Sequence, residues 1–293
     1  MSTFVLLTIT GLGLGAMYFL VASGLSLIYG LLGVLNFAHG AFITVGAYLA
    51  WWFGEQLGGG PGTRLLVGGV LGIAAGALVA ALVELGLIRP LYRRPVEQVL
   101  VTVGLALALG ALVQGIWGAD AKPFPVPSWM IDTTTILGAN VPNDRFVEIG
   151  VAVAVLLGLT AFLRYTRFGL VIRAGVENRG MVSALGIDVR LAFTLVFALG
   201  GALAALAGVL SGVYFGVVDP TRGTSLLIFA FIVVVIGGFG SIGGSAVAAV
   251  AVGLIQQYAN YYASSGTGDL AVVLLLALVL LVRPTGLAPK VAH

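Results

Sequence analysis

No Asp, Glu, Lys or Arg precedes Glu55, and long apolar stretches recur from there onward. That feature limits the fold more than any other. A helix needs about 20 mainly apolar residues to cross the hydrocarbon core of a bilayer. Runs of this kind fall near 4–30, 36–53, 65–88, 97–118, 147–163, 191–215, 224–238, 243–262 and 269–283. Charged residues are only 9% of the chain, where a soluble domain carries about 25%, so most of its surface cannot face water. Only helices and closed barrels satisfy their backbone polar groups inside lipid. Barrel strands would alternate over short segments, and these runs are longer and do not alternate. The expected fold is all-α: a polytopic transmembrane helical bundle of about nine spans, forming one transmembrane domain over residues 1–293. The glycine-rich first span and the short runs 36–53 and 224–238 are the places for broken or re-entrant helices.

Charge sets the expected orientation, because Lys and Arg in short loops stay on the cytoplasmic side. One basic cluster is Arg89, Arg93 and Arg94; the other runs from Arg164 to Arg190, with five arginines against Glu177 and Asp188. Two spans separate the clusters, so both fall on one side. The N-terminus is then outside, with no Lys or Arg before Arg64, and the C-terminus, with Arg283 and Lys290, is inside. The loop 119–145 lies outside. Its Pro123, Pro125 and Pro127 favour extended backbone, and Trp129 suits an interface. It reads as a connector, with a docking surface for an external partner as the alternative.

Several chemistries are excluded. There is no cysteine, hence no disulfide or thiol centre. The only lysines are Lys122 and Lys290, and neither sits in a phosphate-binding G-x-x-x-x-G-K-[ST] loop. The two histidines, His39 and His293, supply no metal set or hydrolytic triad. The basic residues flank spans, so nucleic acid is not an expected partner. Few ionisable groups lie at mid-depth, against a proton-coupled antiporter or voltage sensor. The sequence offers a passage, with no cofactor, no metal and no catalytic residue.

The cytoplasmic segment 164–190 is longer than a connector requires. Within it, "VENRGMVSALG" (Val176 to Gly186) reads as a short helix, with Val176, Val182, Leu185 and Met181 to one side and Glu177, Asn178 and Arg179 polar. Gly186 stands as its C-terminal stop. Such a helix suits either the membrane interface or a groove on a soluble partner.

At this point a resemblance enters. "GLGLGAMYFLVASGLSLIYGLLGVLNFAHGAFITVGAYLA" (Gly11 to Ala50), "RAGVENRGMVSALGIDV", "FALGGALAALAGVLSG" and "GGFGSIGGSAVAAVAVG" resemble, in order and spacing, the permease subunits of branched-chain (hydrophobic) amino acid ABC importers. The resemblance spans nearly the whole chain. It implies a multi-pass subunit of the bacterial cytoplasmic (inner) membrane, not itself an enzyme, that moves substrate by alternating access. The partners it implies are cytosolic ATP-binding subunits, an extracytoplasmic solute-binding protein, membrane lipid, and a second homologous permease or a copy of itself. Urea and short-amide importers use similar permeases. The rival from another class is a self-contained channel for a small neutral solute. By the same resemblance Glu177, Ala184 and Gly186 correspond to the segment that docks on the ATPase; Arg173, Arg179 and Met181 complete the coupling candidates.

The substrate-path candidates are Asn36 and His39 in "GVLNFAHGAF", and Gln256, Gln257 and Asn260 in "QQYANYY". Asn36 and His39 share a helix face, expected near the cytoplasmic start of the second span. Their bland roles are an N-cap for Asn36 and a bond from His39 to neighbouring backbone. Glu84, about one turn from Arg89, reads as a paired carboxylate at the membrane edge. Recurrent glycines, among them Gly11, Gly15, Gly24, Gly200, Gly201 and Gly208, suit close helix packing in lipid. The denser "GGFGSIGG" suggests a break between spans. Aligning Gly30/Gly237, Gly33/Gly240, Ala41/Ala248 and Gly46/Gly253 hints at two related halves.

Overall fold

A computed structural model describes residues 2–92, 94–177, 182 and 189–288. Among the described residues, nine helices of 16 residues or more lie on the nine apolar stretches. They are α1 (Ser2–Leu32), α2 (His39–Leu57), α3 (Pro61–Val83), α4 (Pro95–Trp117), α6 (Asn143–Tyr165), α8 (Val189–Phe215), α9 (Arg222–Gly237), α10 (Ile242–Tyr262) and α11 (Thr267–Val282). Two shorter ones are α5 (Ser128–Ile131) and α7 (Arg167–Glu177). Six of the helices are long and apolar enough to cross a membrane, and α9 and α11 are shorter apolar helices. The protein is an all-α, polytopic membrane bundle.

Proline begins α3 and α4, where its missing N–H costs nothing. The end of α3 is irregular: it widens into a π turn over Glu84–Ile88 and tightens into a 3₁₀ turn at Arg89–Leu91. Pro90 lies in that tight turn and cannot donate to a continuing helix.

The segment 119–145 carries more order than an extended connector. Strands β2 (Thr133–Ile136) and β3 (Ala139–Pro142) form a hairpin through Leu137 and Gly138, both at positive φ as a tight primed turn demands. Strand β1 (Lys122–Pro123) pairs with β4 (Val217–Val218). Phe124 is buried beneath them, against Gly212 of α8.

Helix α1 is the hub, buried along most of its length between Gly11 and Ile28 and packed by α6, α8, α9 and α10. Small residues set these distances. A Cβ on Gly201 of α8 would collide with Ala80 and the Gly76 carbonyl of α3, and one on Gly46 of α2 with Ala205 of α8. Lipid gives no hydrophobic drive between helices, so this close approach supplies the adhesion. Gly201→Val is expected to destabilise the bundle by about 1–3 kcal/mol through overpacking, seen as a lower melting temperature in detergent. An unchanged melting temperature would contradict tight α3–α8 packing.

The "GGFGSIGG" break is present. Helix α9 ends at Gly237, and Ser241 caps α10 by accepting from the Gly244 amide at 3.0 Å. The aligned Gly33 and Gly240 both take positive φ, +67° and +78°, each in a break that follows a helix. Gly240 lies directly against Gly30.

Candidate translocation path and coupling segment

After α1 the chain does not continue straight into a second helix. Residues 33–38 fold back along α1, and α2 starts only at His39, three residues later than the apolar run suggested. Asn36 is not the N-cap of α2. That position is Ala38, which has no side-chain cap bond. Asn36 acts within the linker instead: its Oδ1 accepts from the Ala38 amide at 3.1 Å, and its backbone carbonyl accepts from the His39 amide. The linker is tied to α4 where the Phe37 amide donates to Thr102 Oγ1 at 3.3 Å. The buried Asn36 Nδ2 has no partner among the described residues.

His39 is wholly buried, and its Nε2 lies 3.1 Å from the Val21 carbonyl oxygen, to which the Nε2–H tautomer donates. The expected bond to neighbouring backbone is therefore present. Its place differs from the expectation, because Val21 is eleven residues from the end of α1, roughly 16 Å along the axis. The fold-back carries His39 deep beside α1, against Gly24.

Between this linker, α1 and α9 lies a cavity of about 270 Å³, walled chiefly by Leu25, Leu35, Phe37, Leu227, Ile228 and Phe231. Among the described residues, Asn36 and Thr224 are its only polar lining. Helix α9 is positioned by the turn before it, where Asp219 Oδ1 accepts from the Thr221 amide and hydroxyl at 2.7 and 2.6 Å. Burial pushes the Asp219 carboxyl up, but these two bonds and the nearby Arg222 outweigh it and hold it below the usual range.

The α10 amides serve elsewhere. Gln256 accepts from the Tyr18 hydroxyl and donates to Asp269, both at 2.7 Å, joining α1, α10 and α11. Asn260 Oδ1 accepts from the Gly266 and Gly268 amides at the start of α11. Gln257 packs by its Cβ toward Gly11 of α1. None of the three lines the cavity.

Of the coupling candidates, Arg173 and Glu177 belong to the backbone of α7. Arg179, Met181, Ala184 and Gly186 lie outside the described residues. Val182 is described, and it is buried with Phe193 against Leu32, Tyr92 and Ala174.

One polar cluster escaped the sequence reading, and a second was read only in part. At the start of α6, Arg145 Nη1 is 3.1 Å from Asp144 Oδ2 and 3.7 Å from Glu148 Oε2. Its guanidinium carbon stands 3.3 Å above the centre of the Tyr214 ring. Glu148 is fully buried, an ionisable group inside an apolar run, and that was the available signal. The second cluster surrounds Glu84. The expected Glu84–Arg89 pair is present at 3.2 Å, and Tyr92 and Thr194 join it.

Fold and site together define a polytopic membrane helical bundle with an apolar cavity beside the fold-back. The chain belongs to the family of permease components of branched-chain amino acid transport systems, whose profile matches residues 7–283. It is 32% identical over 289 residues to the high-affinity branched-chain amino acid transport system permease protein LivH of Escherichia coli K12, spanning 94% of this chain and 92% of that one. It is 30% identical over 291 residues to BraD of Pseudomonas aeruginosa, likewise a branched-chain amino acid permease protein, spanning 95% and 94%. A probable branched-chain amino acid permease, LivH of Methanocaldococcus jannaschii, is 30% identical over 281 residues, spanning 92% and 86%. No solved structure matches the chain.

Proposed function

We propose that this chain forms the translocation path of an ABC importer for branched-chain or other hydrophobic amino acids. It works in the cytoplasmic membrane as one transmembrane domain, N-terminus outside and C-terminus inside. Cytosolic subunits hydrolyse the ATP, an extracytoplasmic binding protein delivers the substrate, and a second permease completes the path. The segment from Arg164 to Arg190 is the part that meets the ATPase.

The observation that carries this reading is the apolar cavity at the fold-back. Its wall suits a branched aliphatic side chain and offers little to urea or a short amide, which need several hydrogen-bond partners. Family membership and the names of the relatives support the same substrate class.

Filling the cavity tests it. Ile228→Trp is expected to lower leucine uptake by proteoliposomes holding the assembled complex by on the order of tenfold, with assembly intact. Full leucine uptake by the variant would remove the cavity from the path. Uptake of urea in place of leucine by the wild type would favour the short-amide reading. Leucine flux through the isolated chain, without any ATPase, would favour a channel.

A further inference from the structure

We propose that Glu84 is a positioning residue for transport, tying the exit of the coupling segment to α3 so that movement delivered there reaches the helices around the cavity. The inference rests on the reading of the chain as an ATP-coupled permease.

Glu84 has no solvent exposure, although it sits in an apolar helix. A buried carboxylate is tolerated only when its oxygens are well satisfied, and these are. Oε1 accepts from Arg89 Nε at 3.2 Å and from the Tyr92 hydroxyl at 2.6 Å. Oε2 accepts from Arg89 Nη2 at 3.3 Å and from the Thr194 hydroxyl at 2.7 Å. The same Nη2 donates to Thr194 Oγ1 at 2.6 Å, which closes the ring. Arg89 and Tyr92 are local to the end of α3. Thr194 is not, since it lies in the first two turns of α8, directly after the coupling segment.

The polar ring also touches that segment through packing. Val182 is buried in one cluster with Phe193, and Tyr92 packs against that cluster. The Tyr92 ring meets Phe193 edge-on at 5.8 Å, while its hydroxyl holds Glu84. The side chain that holds the carboxylate therefore packs against the cluster that contains Val182.

On the other side of Glu84 the connections are stiff. The π turn Glu84–Ile88 runs straight out of α3, and single π turns cluster at functional sites. Helix α3 packs at backbone distance on α8, through Gly76, Ala80 and Gly201. It packs in the same way on α2, through Gly72 with the Gly46 carbonyl and Ala50. Close-packed elements pass a displacement on more than they absorb it. Helix α2 begins at His39, next to the linker that walls the cavity. A contiguous physical route therefore runs from Val182 through Tyr92 and Glu84 to α3, α2 and the fold-back.

The test uses the complete complex in proteoliposomes, with its ATP-binding subunits, its binding protein and leucine as probe. Glu84→Gln keeps the side-chain volume and removes the charge. Thr194→Val keeps the Glu84–Arg89 pair and removes the two bonds that cross between the helices. In both, stimulated ATP hydrolysis is expected to stay near wild type, while leucine taken up per ATP falls on the order of tenfold. Glu84→Asp should recover part of the loss. Wild-type uptake per ATP in both variants would overturn the proposal. So would uptake and hydrolysis falling together with the melting temperature, the signature of a loosened helix end. A wild-type complex that couples no leucine uptake to ATP would defeat the permease reading itself and this inference with it.

Discussion

Arg145→Met is expected to cost the bundle about 3–5 kcal/mol, whereas Glu148→Gln is expected to cost little or to stabilise it. The difference follows from counting charges in a buried place. Asp144, Glu148 and Arg145 bring two carboxylates to one guanidinium at the start of α6, and the Asp144 and Glu148 side chains are almost sealed. Asp144 lies in the first turn of its helix, where the dipole favours a negative group. Glu148 is a turn further in and has only the 3.7 Å approach to Arg145. Neither of its oxygens has a hydrogen-bond partner among the described residues. Removing the arginine strips both carboxylates of their only close counter-charge among the described residues, and the Tyr214 ring of its cation. Neutralising Glu148 leaves a one-to-one Arg145–Asp144 pair. Thermal unfolding of the purified permease in detergent measures both effects. A strongly destabilised Glu148→Gln beside a normal Arg145→Met would show that the cluster is not organised around the arginine.

The helices were legible because lipid makes their signal long and redundant. An apolar run of twenty residues has one stable answer, and each of the nine runs carries a helix. The glycine break before α10 was legible from its density: Gly237, Gly238 and Gly240 lead straight into the Ser241 cap, whereas a single pair such as Gly200–Gly201 stays inside α8. What the sequence hid was the return path of short segments. Nothing in "GVLNFAHG" announces that residues 33–38 double back, because the fold-back is fixed by contacts far along the chain. His39 is held by Val21, Phe37 by Thr102, and Gly40 packs on Gly223. The same limit applies to Glu84. Its pairing with Arg89, five residues away, could be read from spacing, but Thr194 is 110 residues distant and no period links the two. Gln256 and Asn260 were legible as polar residues in a span but not as members of the α1–α10–α11 joint. An amide's partner depends on the neighbouring helix, and helix neighbours are set by the small-residue packing of the whole bundle.

Gly186→Pro or Glu177→Arg is expected to abolish substrate-stimulated ATP hydrolysis by the assembled complex while membrane insertion stays intact. The segment that carries them is anchored at both ends. Ile172 of α7 is fully buried in a cluster with Leu27, Leu31, Ala192 and Val196, and α8 is fixed by Phe193 and Thr194. Between these anchors the sequence places apolar Val176, Met181, Val182 and Leu185 among polar Glu177 and Arg179. The sequence reading ends this helix at Gly186, a residue type that can leave a helix at positive φ without strain, and proline there would fix φ and remove an N–H. Glu177 is one of two acidic groups against five arginines in this stretch, so reversing it changes the local charge pattern a partner must match. Both changes lie outside the apolar runs, which is why insertion should survive. ATPase assays in proteoliposomes with leucine and the binding protein measure the effect, alongside co-purification of the ATP-binding subunits. Unchanged coupled turnover would remove this segment from the docking surface. The outcome also separates two steps of one cycle. On the proposed reading a broken docking segment would stop the ATPase from sensing substrate, whereas a broken Glu84 ring would let hydrolysis proceed without moving it.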